Sequence, residues 1–397
     1  MEKQKGLWIG VAVVAVLLIA FALSRQGGQQ QEKQVGTEPT QPSQQEQPKS
    51  GNPIIIGSIL PLTGDGAAYG EPDREIMQMA ADEINAVGGV NGSKLEIIFE
   101  DSKCSGKDAA NAIQKLISID KVQAVVGAAC SSEALAAFPI AEKNKIAFLS
   151  NAASSPDLTN ASPYFFRDYP SDASQGKILA QVALEKGWKN MAFMQEKKDY
   201  PLGIYKAFGV EFEKGGGSII KEEFASDAVD FRTQLKKLQV AKPDALFISA
   251  QTPASGERVL KQLKELGWTV QLFISDAMSG DTELMKRHAA QLEGTLAAEF
   301  GVDEQNPKFQ HLLDAYKTQY KKDAPFQSYA QTEYDSVYLI VDGLKAVGNN
   351  GEKLAAWSRT VKDWDGASGK VTIEATGDRA GGHVAKIVKN GKVELLK

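Results

Sequence analysis

The chain has 397 residues, of which 43% are apolar and 24% charged, and its formal net charge at pH 7 is −5. A chain of this length can form two or three domains with separate hydrophobic cores. The slightly acidic balance, without a strongly basic block, argues against a nucleic-acid partner, which would need a clustered positive surface.

The N-terminal segment begins with Lys3 and Lys5 and continues as an unbroken apolar run from residue 7 to residue 23. As a helix this run would span about 26 Å, slightly less than a bilayer core. Residues 1–25 are therefore either a membrane anchor or a cleaved signal peptide. Residues 26–52 are rich in Gln, Pro, Gly and Ser and predict a disordered linker. A spacer of this kind favours a retained anchor.

Two cysteines, Cys104 and Cys130, are present in the whole chain. In an exported protein such a pair suggests one disulfide. Two buried free thiols are the alternative.

From Pro53 onward, short β-rich segments alternate with segments that have helical apolar spacing. In the first half, strands are predicted at 54–59, 95–99, 124–127 and 146–149, and helices at 71–87, 109–119 and 131–143. This order is typical of a doubly wound parallel sheet.

The alternation restarts after a seam at 167–171. Helices are predicted at 172–186, 203–214, 231–240 and 256–266, and strands at 191–194, 218–224, 245–248 and 270–274. Two such units in succession predict an α/β fold with two doubly wound Rossmann-like lobes. Two further helices, at 307–321 and 329–346, cannot be assigned to a lobe by periodicity.

Ligands of doubly wound sheets bind at the carboxyl ends of the strands, so the strand-to-helix turns are the candidate site. The turn at 128–132 opens a helix, and its free N–H groups with the Ser131 hydroxyl suit a carboxylate. A plain helix cap by Ser131 or Ser132 explains the same residues.

Further candidates follow the neighbouring strands. The turn at 151–156 contains Ser154 among small residues that allow a ligand to approach closely. Tyr200 and Asp276 lie at strand ends of the second unit. Simple packing of the tyrosine and capping by the aspartate are the alternatives.

Catalytic and cofactor motifs are missing from the sequence. The glycine-rich turn at 60–70 lacks the dinucleotide spacing, and no P-loop lysine follows it. His288, His311 and His383 have no metal-ligand spacing with another His, Cys or carboxylate. There is no Gly-x-Ser-x-Gly elbow. The sequence therefore predicts a binding protein that is not an enzyme and uses no cofactor and no metal.

A series of stretches in fixed order resembles one known family. The first two are the Pro-Leu-Thr-Gly and Tyr-Gly motifs within 57–70 and the sequence Asp-Glu-Ile-Asn-Ala-Val-Gly-Gly-Val-Asn-Gly at 82–92. The others are the segments 127–132, 150–159, 165–167, 230–232 and 331–338. From Ile54 to roughly the C-terminus, the chain resembles the leucine/isoleucine/valine-binding protein family, which has the type I periplasmic-binding fold.

The resemblance implies a disulfide between Cys104 and Cys130, which occupy the positions of a bonded pair in that family. In the chain-entropy model, closing a loop of roughly 26 residues contributes about 3–4 kcal/mol. The bond would also stiffen the turn beside Ser131.

The resemblance also implies the ligand contacts. A ligand carboxylate would be bound by Ser131 and the Ser154 turn. A ligand ammonium would be bound by the Ala152 carbonyl, the Ser154 hydroxyl and an acidic group of the second lobe, for which Asp276 is the candidate.

Two tyrosines, Tyr69 and Tyr200, match family residues that line the cleft. The family commonly has an aromatic residue near Gln251 or Thr252, and this chain has none there. Leucine-like specificity therefore does not follow from the resemblance.

The family's architecture implies an N-terminal lobe of residues 53–168 and 301–365 and a C-terminal lobe of residues 169–300 and 366–397, joined by crossover strands. Its function implies an extracytoplasmic solute-binding protein of an ABC importer, which binds an amino acid or related small polar solute and closes about a hinge.

The expected partners are an ABC permease and ATPase, with the membrane reached through the N-terminal segment and no nucleic acid. The protein is expected to be anchored at the cell surface or periplasmic. The alternative function is the ligand-binding component of a sensory or amide-responsive receptor system. In that case a separate partner would have to carry the signalling domain.

Overall fold

The computed structural model describes residues 51–397, so the predicted N-terminal apolar helix and Gln-rich linker lie outside the described residues. Within 51–397, no helix is both long enough and apolar enough to cross a membrane.

The first sheet has five parallel strands in the order β2-β1-β3-β4-β5. The elements are β1 Ile54–Leu60, α1 Ala67–Ala86, β2 Leu95–Asp101, α2 Gly106–Ser118, β3 Ala124–Gly127, α3 Ser131–Lys143, β4 Ala147–Ser150 and β5 Phe165–Arg167. All four residues of β3 are buried, as expected for a parallel strand that is covered on both faces.

The second sheet repeats this order in its parallel part, β7-β6-β8-β9-β10. The elements are α4 Asp172–Glu185, β6 Asn190–Glu196, α5 Asp199–Lys214, β7 Ser218–Phe224, α6 Arg232–Val240, β8 Ala245–Ser249, α7 Pro253–Glu265, β9 Gln271–Ile274, α8 Asp276–Ser279, α9 Thr282–Arg287, α10 Ala289–Leu292 and β10 Leu296–Phe300. The parallel α/β sheets predicted from the alternation are confirmed.

The rest of the chain contributes to both sheets. The elements are α11 Pro307–Tyr320, α12 Gln327–Val347, α13 Gly351–Ser358, β11 Trp364–Gly366, β12 Gly369–Val371, β13 His383–Lys389 and β14 Lys392–Leu395. Helices α11 to α13 pack in the hydrophobic cluster of the first sheet, which extends as far as Ile373. Strands β13 and β14 are antiparallel and extend the second sheet beyond β10.

Three connections join the two lobes, at 168–171, 301–306 and 372–382. Arg167 lies at the start of the first connection and is fully buried. Its guanidinium pairs with Asp378 of the third connection at 2.8 Å. It also donates to the carbonyls of Ala153 at 3.2 Å and Ser155 at 2.9 Å. One side chain thus joins two connections to the turn after β4.

The start of α3 differs from the sequence prediction. The N-cap is Cys130, and neither Ser131 nor Ser132 takes that role. The carboxylate of Glu133 accepts the Cys130 N–H at 2.9 Å, as the N3 residue does in a capping box. Burial raises the pKa of Glu133 to about 7, and a hydrogen bond from Ser102 holds its carboxylate in place. Ser131 is therefore the first helical residue.

Cys104 and Cys130 form a disulfide, with their Cα atoms 5.5 Å apart. The bond connects the β2–α2 loop to the N-cap of α3. Both side chains are buried, at 5% and 0% exposure. The bond therefore fixes the helix start from which Ser131 projects.

Replacing both cysteines by alanine is expected to lower the free energy of unfolding by about 3 kcal/mol, because the unfolded chain regains the freedom of a 26-residue loop. Urea unfolding with and without a reductant measures this loss. Reductant should lower the midpoint of the unsubstituted protein and leave that of the double variant unchanged. An unsubstituted protein that is insensitive to reductant would contradict the prediction.

Candidate functional site

A cavity with an empty volume of about 390 Å³ lies between the two lobes. Most of its lining residues follow the carboxyl ends of strands from both sheets, and two come from the start of α12. They are Tyr69, Asp73, Ala129, Ala152, Ser154, Tyr200, Gln251, Ala277, Phe326 and Tyr329. Its position, at the carboxyl ends of parallel strands, is that of a small-molecule site in a doubly wound fold.

The first-lobe side of the cavity is formed by the turns after β3 and β4. The Ser131 hydroxyl accepts the backbone N–H of Ser155 at 3.1 Å, which joins the two turns. The Ser154 hydroxyl donates to the Asp172 carboxylate at 2.8 Å. Because the first N–H groups of α3 are free of intrahelical partners, this corner is suited to an anion such as a carboxylate.

The second-lobe side contains a buried acidic group. Asp276 is fully buried at the first residue of α8. Its carboxylate accepts the Tyr169 hydroxyl at 2.8 Å and also the Tyr200 hydroxyl. The Nε2 atom of His383 lies 4.0 Å from carboxylate oxygens of both Asp276 and Asp172. Two carboxylates thus flank one imidazole directly behind the cavity wall.

The electrostatics of this corner favour a cation in the cavity. Burial, and then the negative charge of Asp276, raise the pKa of Asp172. Burial lowers the pKa of His383 to about 4, so its ring is neutral at pH 7 and offsets neither carboxylate. A ligand ammonium placed here would relieve the repulsion between the two acids.

The third wall is formed by α1 and α12. Tyr69 and Asp73 are one helical turn apart on α1 and therefore share a face. The Tyr69 hydroxyl donates to the Gln251 carbonyl at 2.8 Å, which is a direct hydrogen bond between the lobes. The ring centroids of Phe326 and Tyr329 lie 4.9 Å and 6.3 Å from that of Tyr69. This wall is aromatic, with one carboxyl group.

The structure brings the six predicted ligand residues to one place. Tyr69, Ala152, Ser154 and Tyr200 line the cavity. Ser131 lies behind the lining, bonded to the turn that carries Ser154. Asp276 lies behind Tyr200, whose hydroxyl donates to it. These positions are consistent with the predicted ligand contacts, which remain predictions.

Six lining residues were not singled out as ligand residues. Ala129, Gln251 and Ala277 lie in strand-to-helix turns that the sequence marks as the candidate site, whereas Asp73, Phe326 and Tyr329 were not predicted. Asp73 was within reach of sequence reasoning, because it lies one turn after the predicted Tyr69 on a predicted helix. Phe326 and Tyr329 follow no strand end. No local signal marks them, because only the packing of α12 between the lobes brings them to the cavity.

One group of potential metal ligands occurs within residues 51–397, consisting of Cys104, Cys130 and Glu133. The disulfide removes both thiolates, so this group does not form a metal site in the oxidised protein.

Comparisons with known proteins agree on one family. A family model described as periplasmic binding protein matches residues 53–390. The leucine-, isoleucine-, valine-, threonine- and alanine-binding protein of Pseudomonas aeruginosa is 28% identical over 328 residues, which cover 82% of this chain and 87% of that protein.

Solved structures show the same likeness. The leucine-binding protein LivK of Thermotoga maritima superposes with a TM-score of 0.80 at 29% identity, covering 87% of this chain and 98% of that one. LivJ of Streptococcus pneumoniae, a branched-chain amino acid transporter substrate-binding protein solved with isoleucine, has a TM-score of 0.77 at 28% identity, covering 86% and 98%.

Proposed function

Because this chain belongs to the periplasmic binding protein family, we propose that it is the solute-binding component of an ABC importer and captures an amino acid or a related small polar solute. The resemblance stated from the sequence is confirmed, and the chain is not an enzyme. The observation that carries the proposal is the cavity between the lobes, which has the start of α3 behind one side and the buried carboxylate of Asp276 behind Tyr200 on another.

The two corners of the cavity suit the two ends of an amino acid. The ligand carboxylate is received at the start of α3 by backbone N–H groups and the Ser131 hydroxyl. The ligand ammonium is received by the Ala152 carbonyl and the Ser154 hydroxyl, with Asp276 as its counter-ion. Residues of the described site are then sufficient to bind both the carboxylate and the ammonium of the ligand.

Closure of the lobes holds the solute. Three contacts already join the lobes around the cavity: Tyr69 to the Gln251 carbonyl at 2.8 Å, Lys198 to the Cys104 carbonyl at 3.3 Å, and Arg258 to Asp65 at 3.2 Å. In the proposed mechanism the solute binds the first lobe, and these contacts form as the second lobe rotates over it. The solute favours closure because it makes more contacts in the closed state.

A permease and an ATPase in the membrane are the proposed partners, and the protein acts outside the cytoplasm. Residues 1–25 are proposed to hold it at the membrane, with residues 26–52 as a tether. N-terminal sequencing of protein from the cell envelope tests this, because a mature chain that begins after residue 23 would show a cleaved signal instead.

A thermal-shift screen of amino acids, amides and small peptides tests the binding function. A solute present at 100 times its dissociation constant should add about 2.7 kcal/mol to the free energy of unfolding. A screen in which no amino acid or amide raises the melting temperature would contradict the proposal.

Ser131→Ala is expected to weaken binding of the amino acid found in the screen. The change removes one hydrogen bond to a charged carboxylate, which corresponds to about a 10- to 150-fold loss of affinity. Isothermal titration calorimetry measures the loss. Ser132→Ala is the matched control, because its hydroxyl points to the Cys104 carbonyl at 3.5 Å. Unchanged affinity in Ser131→Ala would place the carboxylate elsewhere.

A further inference from the structure

We propose that the solute carries a second cationic nitrogen group in addition to its α-ammonium, and that Asp73 binds this group. The inference rests on the proposed function and narrows its substrate class to amino acids with a basic side chain. It makes Asp73 a specificity-determining residue.

Two of the three tyrosines that line the cavity, Tyr69 and Tyr200, face it as acceptors. Tyr69 uses its hydroxyl proton on the Gln251 carbonyl at 2.8 Å. Tyr200 uses its hydroxyl proton on Asp276. A phenol has one O–H and two lone pairs, so each of these oxygens has only acceptor capacity left for a ligand. Burial raises the pKa of both hydroxyls, which keeps them protonated and the arrangement fixed.

Gln251 adds a further acceptor. The residue is 4% exposed and lines the cavity. Its Oε1 atom is buried and has no hydrogen-bond partner among residues 51–397. A buried acceptor without a partner costs about 1–3 kcal/mol, so a donor from the solute would stabilise this position.

Asp73 provides a carboxyl group on the same side. It is 5% exposed, lines the cavity and is one turn from Tyr69 on α1. Among the lining residues within the described chain, none is a lysine, an arginine or a histidine. Because the lining has no basic side chain, this carboxyl group is neutralised either by a proton or by a cation that the solute brings.

The neighbourhood of Asp73 strengthens this requirement. Glu333 of α12 is fully buried next to it, and both of its carboxylate oxygens lack partners among residues 51–397. Burial raises the pKa of Asp73, and burial together with the negative charge of Asp73 raises the pKa of Glu333. Burial of both groups, with the charge of Asp73 acting on Glu333, favours a proton on this pair. A cation from the solute would take over the neutralising role of that proton.

An aliphatic side chain would not satisfy this wall. It would leave the Asp73 carboxyl and the Gln251 Oε1 atom buried without donors. Sites built from buried polar groups discriminate strongly against ligands that lack the matching group. The aromatic rings of Phe326 and Tyr329 are compatible with the methylene chain and with the charge of a basic side chain.

Calorimetric titration with L-lysine, L-ornithine, L-arginine, L-leucine and L-norleucine tests the inference. Norleucine has the four side-chain carbons of lysine and lacks the ε-ammonium. We expect at least one basic amino acid to bind at least about 10-fold more tightly than norleucine and leucine. Asp73→Asn should reduce that affinity about 10- to 150-fold and leave norleucine binding nearly unchanged.

Asp82→Asn is the matched control, because it removes an exposed carboxylate from the same helix. Norleucine or leucine binding as tightly as the basic amino acids would overturn the inference and leave the proposed function standing. Binding of none of the five would count against both. The affinity of the tightest-binding basic amino acid relative to norleucine, measured in the unsubstituted protein, decides the question even if Asp73→Asn fails to fold.

Discussion

Arg167→Met is expected to lower the free energy of unfolding by about 3–5 kcal/mol, because it leaves the Asp378 carboxylate buried without its partner. The Arg167 side chain is 0% exposed and that of Asp378 is 12% exposed, so water can replace little of the lost interaction. The variant also leaves the Ala153 and Ser155 carbonyls without the guanidinium that holds them. Urea unfolding with linear extrapolation measures the change.

Two further variants make this test specific. Arg232→Met removes an arginine from an exposed pair with Asp230 and should change stability by less than about 1 kcal/mol. Arg167→Met combined with Asp378→Asn should recover part of the loss, because no unpaired charge then remains. If Arg167→Met were as stable as the unsubstituted protein, the connection between the lobes would not depend on this pair.

The sequence predicts most of the α/β core because its parallel strands are short apolar runs. Every residue of β8 is buried, and the same holds for β3 and β4. Runs of this kind, separated by segments of helical spacing, have few alternative interpretations. Local pattern was therefore sufficient wherever a strand is covered on both faces.

The strands that were not predicted are determined by strand pairing or by a turn, and not by an apolar run. β10 has the sequence Leu-Ala-Ala-Glu-Phe, whose residues favour helix, and it is a strand because β9 and β13 pair with it on its two sides. The hairpin of β13 and β14 did carry a signal. Its turn is Asn390-Gly391 with φ values of 50° and 71°, the left-handed conformation that Asn-Gly pairs adopt in tight hairpins. The Asn-Gly pair is therefore a local sequence signal for this hairpin.

The residues of the candidate site also fall into those that local sequence pattern identifies and those that it does not. Residues that follow strand ends, such as Ser154 and Tyr200, could be identified because parallel strands place their carboxyl ends on one edge. Phe326 could not, because it precedes α12 in a left-handed conformation with φ of 47°. Its place at the cavity depends on how α12 packs between two lobes. Long-range packing of this kind has no local sequence pattern.

Asp276→Asn is expected to weaken amino-acid binding roughly 150-fold. A ligand ammonium bonded to the Tyr200 oxygen would lie about 5 Å from the Asp276 carboxylate, because the Tyr200 proton is donated to that carboxylate. At an effective dielectric constant of about 20, two unit charges at that separation attract by about 3 kcal/mol. Asparagine keeps the shape of the side chain and loses the charge, and its NH2 group replaces one of the two oxygens that accept the Tyr169 and Tyr200 hydroxyls. Calorimetric titration with the amino acid found in the screen measures the effect.

The comparison with a des-amino analogue identifies the cause of that loss. The analogue has no ammonium, so Asp276→Asn should change its affinity little while reducing that of the amino acid. Asp227→Asn is the matched control, since Asp227 is an exposed carboxylate of the same lobe. Thermal melting of the ligand-free variants separates an effect on folding from an effect on binding. Equal losses for the amino acid and its analogue would show that Asp276 shapes the pocket through Tyr169 and Tyr200 and is not the counter-ion of the ammonium.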